Sequence, residues 1–257
     1  MKKLLVMAMS VMLVLSLNST FSFAAYERID NVDELKRQIA ESMKDGNLSV
    51  SEIEYLKANT DERTAAQFIN EKLDEAVDVL NYKDTAFIEI TTGGIIYSKE
   101  VYDLGDGCNL TVELSDVSEN SNSLISPLAT SGSSELWKEY GKRYFTAKAT
   151  VNTTLDSAEL SLENHYILSA NGIDENYGIA GTVGKLDLNI TKGTPVITDK
   201  VARTPGASDV NMYCIYTVKT ADKKGNEYKL NTTVKYLAID KSNKKIKVGH
   251  SWNLTKI

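Results

Sequence analysis

Two cysteines, two histidines and a scatter of carboxylates are the groups in this 257-residue chain with the types needed for covalent or proton chemistry. Cys108 shares a strand face with Leu110, Val112 and Leu114, and Cys214 shares one with Met212, Tyr216 and Val218, so both point inward. In a chain that reads as exported, this predicts a Cys108–Cys214 disulfide, worth about 4–5 kcal/mol in the chain-entropy model. Two unpaired buried thiols are the alternative. His165 falls on the polar face of its run, with Glu163 about 7 Å away along the strand. His250 falls on an apolar face beside Trp252. The chain has no Gly-x-Ser-x-Gly elbow, His-Glu-x-x-His helix or Cys-x-x-Cys pair. His165 therefore reads as a surface residue and His250 as a packed one. Glu159 and Glu163 share a face but stand about 13–14 Å apart, too far for the paired carboxylates of a glycosidase. Trp137 and Tyr140, beside a Ser-rich stretch, are candidate binding residues, because exposed aromatics offer flat faces to sugars or protein partners.

The sharpest local motif is Asp45-Gly46-Asn47-Leu48-Ser49-Val50-Ser51-Glu52. It resembles the second half of an EF-hand calcium loop, which makes Asp45, Asn47, Ser49 and Glu52 candidate calcium ligands. Glu41 and Met43 would occupy positions one and three, and a thioether cannot replace a hard oxygen ligand. Helix capping explains every matching residue except Asp45: Gly46 ends one helix, and Ser49 with Glu52 caps the next. The expectation is calcium binding that is weak or absent, and no other cofactor.

The surrounding elements fall into two blocks. Residues 26–82 read as three helices. The first is capped by Asn31 and carries Val32, Leu35, Ile39 and Met43; the second follows Ser49. The third spans about Asp61 to Leu80, with Ala65, Ile69, Leu73, Ala76 and Leu80 on one side. Fifty residues make too small a core to stand alone, so the helices should pack on the β-rich remainder of the chain. From Ala86 the period drops to two. Ala86 to Thr91, Ile95 to Leu104, Cys108 to Leu114, Lys142 to Thr150, Ala158 to Ala170 and Ile179 to Val196 all read as β. Val210 to Thr220, Glu227 to Asp240 and Lys245 to Thr255 close the chain as a meander. Residues 115–134 read as a Ser/Asn-rich loop, and Ser134 to Tyr140 as a helical turn stopped by Gly141. The fold class predicted is α+β: a three-helix segment, then a mainly antiparallel β-sandwich or flattened barrel over 83–257.

Lys2 and Lys3 before an apolar run from Leu4 to Leu17, then Ser22-Phe23-Ala24, predict a signal peptide over residues 1–24. Later segments are not apolar enough for a transmembrane span. The expected location is secreted or cell-wall associated. Net charge is −6, and removal of the two signal lysines makes it −8. Residues 26–82 hold 14 Asp/Glu against 7 Lys/Arg. This balance disfavours nucleic acid, whose phosphates need clustered cations. Asn-x-Ser/Thr triplets, such as those at Asn47, Asn109 and Asn231, read as chance in an Asn- and Thr-rich chain of bacterial style. Export, a β-rich body and no catalytic signature point to a non-catalytic bacterial module that binds protein or polysaccharide at the cell surface. A secreted carboxylate- or metal-dependent hydrolase and a β-rich toxin are the alternatives.

Overall fold

The structure is a computed structural model that describes residues 28–82, 91–92, 95–119, 136–184, 189–219 and 225–257. The expected strand from Ala86, the Gly93-Gly94 turn, most of the Ser-rich loop, Lys185 to Leu188 and the first meander turn lie outside the described residues. Three helices come first: α1 (Val32–Ser42), α2 (Val50–Asn59) and α3 (Glu62–Tyr82). Among the described residues thirteen strands come after them: β1 (Thr91–Thr92), β2 (Ile95–Asp103), β3 (Asn109–Ser118), β4 (Leu136–Glu139), β5 (Gly141–Asn152), β6 (Ser157–Ser169), β7 (Gly172–Gly184), β8 (Asn189–Lys192), β9 (Val196–Asp199), β10 (Val201–Ala202), β11 (Ser208–Lys219), β12 (Gly225–Asp240) and β13 (Lys245–Lys256). The α+β architecture is the one the sequence periods require, and one sheet curls into a half-barrel.

The helices begin where the chain supplies caps. Asn31 Oδ1 accepts the Glu34 amide at 2.8 Å, and Asp61 Oδ1 accepts those of Arg63 and Thr64 at 2.7 and 3.0 Å. Ser49 and Glu52 form a full capping box at the start of α2. Leu35, Ile39, Leu56, Phe68, Ile69 and Leu73 turn inward and are buried. The helical layer is tied to one end of the sheets by polar contacts. Lys72, only 2% exposed, donates to Leu104 O at 2.8 Å and pairs with Glu75 and Asp106 at 2.7 and 2.9 Å. Tyr228 OH donates to Asp74 Oδ1 at 2.8 Å, and Lys256 Nζ meets Asp74 Oδ2 at 2.7 Å. Among the described residues no helix is long and apolar enough to cross a membrane.

A seven-stranded sheet runs β1-β2-β3-β5-β6-β7-β10, and a six-stranded one runs β4-β13-β12-β11-β8, with β9 also pairing β11. Every strand pairing is antiparallel. Strict alternation buries Leu110, Val112 and Leu114 of β3, Phe145, Ala147 and Ala149 of β5, and Leu160 and Leu162 of β6. The opposed faces of β11, β12 and β13 supply Met212, Tyr216, Leu230, Val234, Val248 and Trp252. These alternating inner faces form the core.

Four expectations are corrected. Ser134 to Tyr140 holds no helical turn: Leu136 to Glu139 is β4, paired with Lys245 to Val248 of β13. The chain then crosses to the other sheet at Gly141, whose φ of +142° is accessible to glycine and strained for other residues. The loop expected from Ser115 begins later, because β3 continues to Ser118. Alternation along Glu227 to Asp240 predicts Ala238 on the same face as Tyr228, Leu230, Val234 and Tyr236; instead a bulge at Leu237 resets the pattern, so Ile239 packs inward opposite Ile246 and Ala238 does not. Finally, Cys108 and Cys214 are free and buried, with no disulfide. Cys108 lies in the β2–β3 turn under the helices, its sulfur on Asp106 O at 3.4 Å. Cys214 lies mid-strand in the other sheet, its sulfur on Gly193 O at 3.4 Å. An inward orientation is correct for both, but it does not bring residues of different sheets together.

Candidate functional site

Ionisable side chains meet inside the molecule, at the end away from the helices. Asp116 of β3, Arg143 of β5 and Tyr166 of β6 come from one sheet; His250 of β13 and Lys138 of β4 come from the other. Arg143 Nε lies 3.2 Å from both Asp116 oxygens, and Tyr166 OH donates to Asp116 Oδ1 at 2.9 Å. His250 Nε2 stands 3.2 Å from Tyr166 OH and 3.4 Å from Asp116 Oδ2, which suits a proton on Nε2. Lys138 Nζ reaches Asp116 Oδ2 at 4.0 Å, and the Phe145 ring sits 4.7 Å from the imidazole. Burial holds the His250 imidazole down to about 4, with Lys138 and Arg143 adding to the effect and Asp116 opposing it, so the ring is neutral near pH 7. Burial and the Asp116 charge keep the Tyr166 phenol protonated.

A histidine, a carboxylate and a phenol in contact could relay a proton, but the cluster is shut from solvent. Asp116 is 1% exposed, and its four partners are buried. A recess of about 30 Å³ reaches Arg143 and Tyr166 from outside, where Asn176 bulges out of β7. That is room for about one water molecule, not a substrate. The cluster acts as an electrostatic clasp between the two sheets. Beside it on the inner face, Asn164 and Glu175 are buried, and burial pushes the Glu175 carboxyl up to about 8.

A second set of aromatic residues lies on the outer faces. On the seven-stranded sheet, the His165 ring stacks on Tyr177 at 4.1 Å and 18°, with Tyr144 at 5.4 Å on its other side. His165 Nε2 touches Glu163 Oε1 at 2.5 Å, the two side chains leaning together along the strand. These rings cover one another's faces.

On the six-stranded sheet, Trp137 stands outward on β4, 47% exposed, directly across from Lys247. Two strands over, on β12, Leu237 lies over the Gly249 position, where an added Cβ would come within 3.3 Å of its Cδ1. Beyond them, uncharged side chains fill two cross-strand rows: Asn211, Thr233 and Ser251, then Tyr213, Asn231 and Asn253. Thr233 Oγ1 donates to Asn211 Oδ1, and Lys229 Nζ lies 4.1 Å from the centre of the Tyr213 ring.

The structure therefore separates the two aromatic binding candidates. Trp137 is presented outward, whereas Tyr140 packs against the core with its hydroxyl buried. The four candidate calcium ligands are spread along the α1–α2 connection. Asp45 lies in the 3₁₀ turn Met43–Asp45, its side chain outside the described residues; Asn47 is exposed. The Ser49 hydroxyl and Glu52 carboxylate are held by each other at 2.6 Å within the capping box, whose hydrogen bonds lower the Glu52 pKa. Among the described residues no three His, Cys, Asp or Glu side chains converge as metal ligands would. A cleft of about 760 Å³ between the α2–α3 junction and the β5–β6 turn is lined by both signs of charge, including Arg28, Lys57, Asp61 and Asp156. Compared with family models, with curated proteins and with solved structures, the chain matches none of them.

Proposed function

We propose that this chain is an exported, non-catalytic module, secreted or held at the cell wall, that binds polysaccharide on the outer face of its six-stranded sheet. The observation that carries this reading is Trp137. A tryptophan 47% exposed on a short edge strand leaves a large apolar face in water, and such a face gains most when a sugar ring or similar surface covers it. The rows of Asn, Thr and Ser beside it offer donors and acceptors at strand spacing, which suits the hydroxyls of an extended glycan. Enclosure of the ionisable cluster supports a binding role over a hydrolytic one, because a substrate has no route to Asp116 or His250. The test is affinity for isolated cell-wall polysaccharide, measured with the parent chain and Trp137→Ala. Loss of one central aromatic should weaken binding by roughly tenfold or more, with the fold retained because Trp137 is half exposed on an edge strand. Equal binding by the two proteins would rule out Trp137 as the anchor, and no binding by either would rule out the function.

A further inference from the structure

Charge is distributed along the long axis of the molecule in a way that names the ligand more closely, given the binding reading above. The whole chain carries −6, yet residues 225–257, which form β12 and β13, hold 7 lysines against 2 acidic residues. The acidic helices contact the opposite end of these strands, at Tyr228 and Lys256. Twelve residues separate Tyr228 from Asp240, so the β12–β13 turn stands about 40 Å from that contact. At this far end Lys241 and Lys244 are exposed in the turn, and Lys235 is exposed on the outer face near Gly249. Lys247 lies directly across from Trp137.

The turn is braced. Asp240 Oδ1 accepts from Ser242 Oγ at 2.6 Å and from the Asn243 amide at 3.1 Å, and Oδ2 accepts from Asn243 Nδ2 at 2.7 Å. Tyr140 N donates to Lys244 O at 3.0 Å, tying the turn to the β4–β5 corner. The lysines therefore stand on a fixed frame around an apolar centre of Trp137 and Leu237. Glu139 and Asp240 flank Lys245, and Asp209 lies directly across from Lys235; these carboxylates offset part of the charge and leave Lys241, Lys244 and Lys247 to set the sign.

We infer that the Trp137 face, together with the Lys235, Lys241 and Lys244 rim, binds an anionic polysaccharide. The aromatic covers sugar rings while the lysines meet carboxylate or phosphate groups along the polymer. The acidic helical end, with 14 Asp/Glu against 7 Lys/Arg over residues 26–82, is repelled by the same polymer and points away from it. The molecule thus docks in one orientation, hairpin first.

The experiment compares binding of the purified chain to polygalacturonate, neutral dextran, phosphatidylglycerol vesicles and duplex DNA across a salt series. Polygalacturonate should bind best and weaken as salt rises. A Lys241→Gln/Lys244→Gln variant should lose roughly tenfold at low salt, and the loss should shrink once charges are screened. Melting of the variant should match the parent, since both lysines are exposed. Equal affinity for dextran and polygalacturonate, lost in Trp137→Ala but untouched in the lysine variant, would overturn the anionic ligand and leave the polysaccharide reading standing. Vesicles or DNA binding as tightly as polygalacturonate would overturn the glycan assignment.

Discussion

Glu175→Gln should stabilise the protein, and its effect should depend on pH. Glu175 is 2% exposed on the inner face of β7, beside the fully buried Asn164. Burial, with a smaller push from Asp199, raises its carboxyl from the ordinary 4.5 to about 8, while the neighbouring Asn164 amide opposes the rise; among the described residues neither carboxyl oxygen has a hydrogen-bond partner. The folded protein thus keeps this proton where the unfolded chain has lost it. Stability from this group is fully present below pH 4.5 and is lost as pH rises toward 8. Moving the carboxyl from 4.5 to about 8 corresponds to about 5 kcal/mol once pH is well above 8, of which about 3 kcal/mol is gone by pH 7. Glutamine has the shape of the protonated acid and cannot ionise. The variant should match the parent near pH 4.5, exceed it by about 3 kcal/mol at pH 7, and exceed it by about 4 kcal/mol at pH 8. Urea unfolding of both proteins at these three values measures the difference directly, because contributions from all other groups cancel. A difference that stays constant with pH would show that Glu175 is ionised in the fold and that the reasoning from burial is wrong.

His250 gives the opposite limb. Its folded pKa of about 4 lies below the ordinary 6.5, so its contribution is present above pH 6.5 and is lost as pH falls toward 4, by about 3 kcal/mol in all. His250→Gln should flatten the acid limb of the stability profile, and an unchanged limb would place the acid sensitivity elsewhere. For the cysteines, labelling of the denatured, unreduced protein should find two thiols. The native protein should react slowly at both, since burial raises the Cys108 thiol to about 11 and the Cys214 thiol in the same direction.

How far the sequence can be read depends on the range of the determinant. Caps and stripes act within one turn, and alternation acts within one strand, so the three helices and the long strands are legible. The buried clasp leaves only a faint trace. Asp116 continues the parity of Leu110, Val112 and Leu114; Arg143 continues that of Phe145 and Ala147; Asn164 sits between Leu162 and Tyr166. A polar residue on an apolar parity marks a buried polar group, but a strand ended at Leu114 leaves Asp116 in a loop. The bulge at Leu237 is not legible, because Leu237, Ala238 and Ile239 are all apolar and either parity fits. Four residues are too few to show a period, so β4 is hidden, and with it the outward setting of Trp137. Which strands face each other depends on strand order, which periodicity does not contain. The expected pairing of the two cysteines fails for that reason.

The pairing of β4 with β13 also dictates the order in which the molecule can be assembled. Leu136 finds its partner only in Val248, more than a hundred residues later, and Asp74 of α3 finds Lys256 later still. A chain emerging from its N-terminus thus holds an unfinished six-stranded sheet until its last strand arrives, with α3 tied to the β2–β3 turn through Lys72 but not yet to the closing strands. Contacts so distant in sequence make closure slow, and they come as a late, single event.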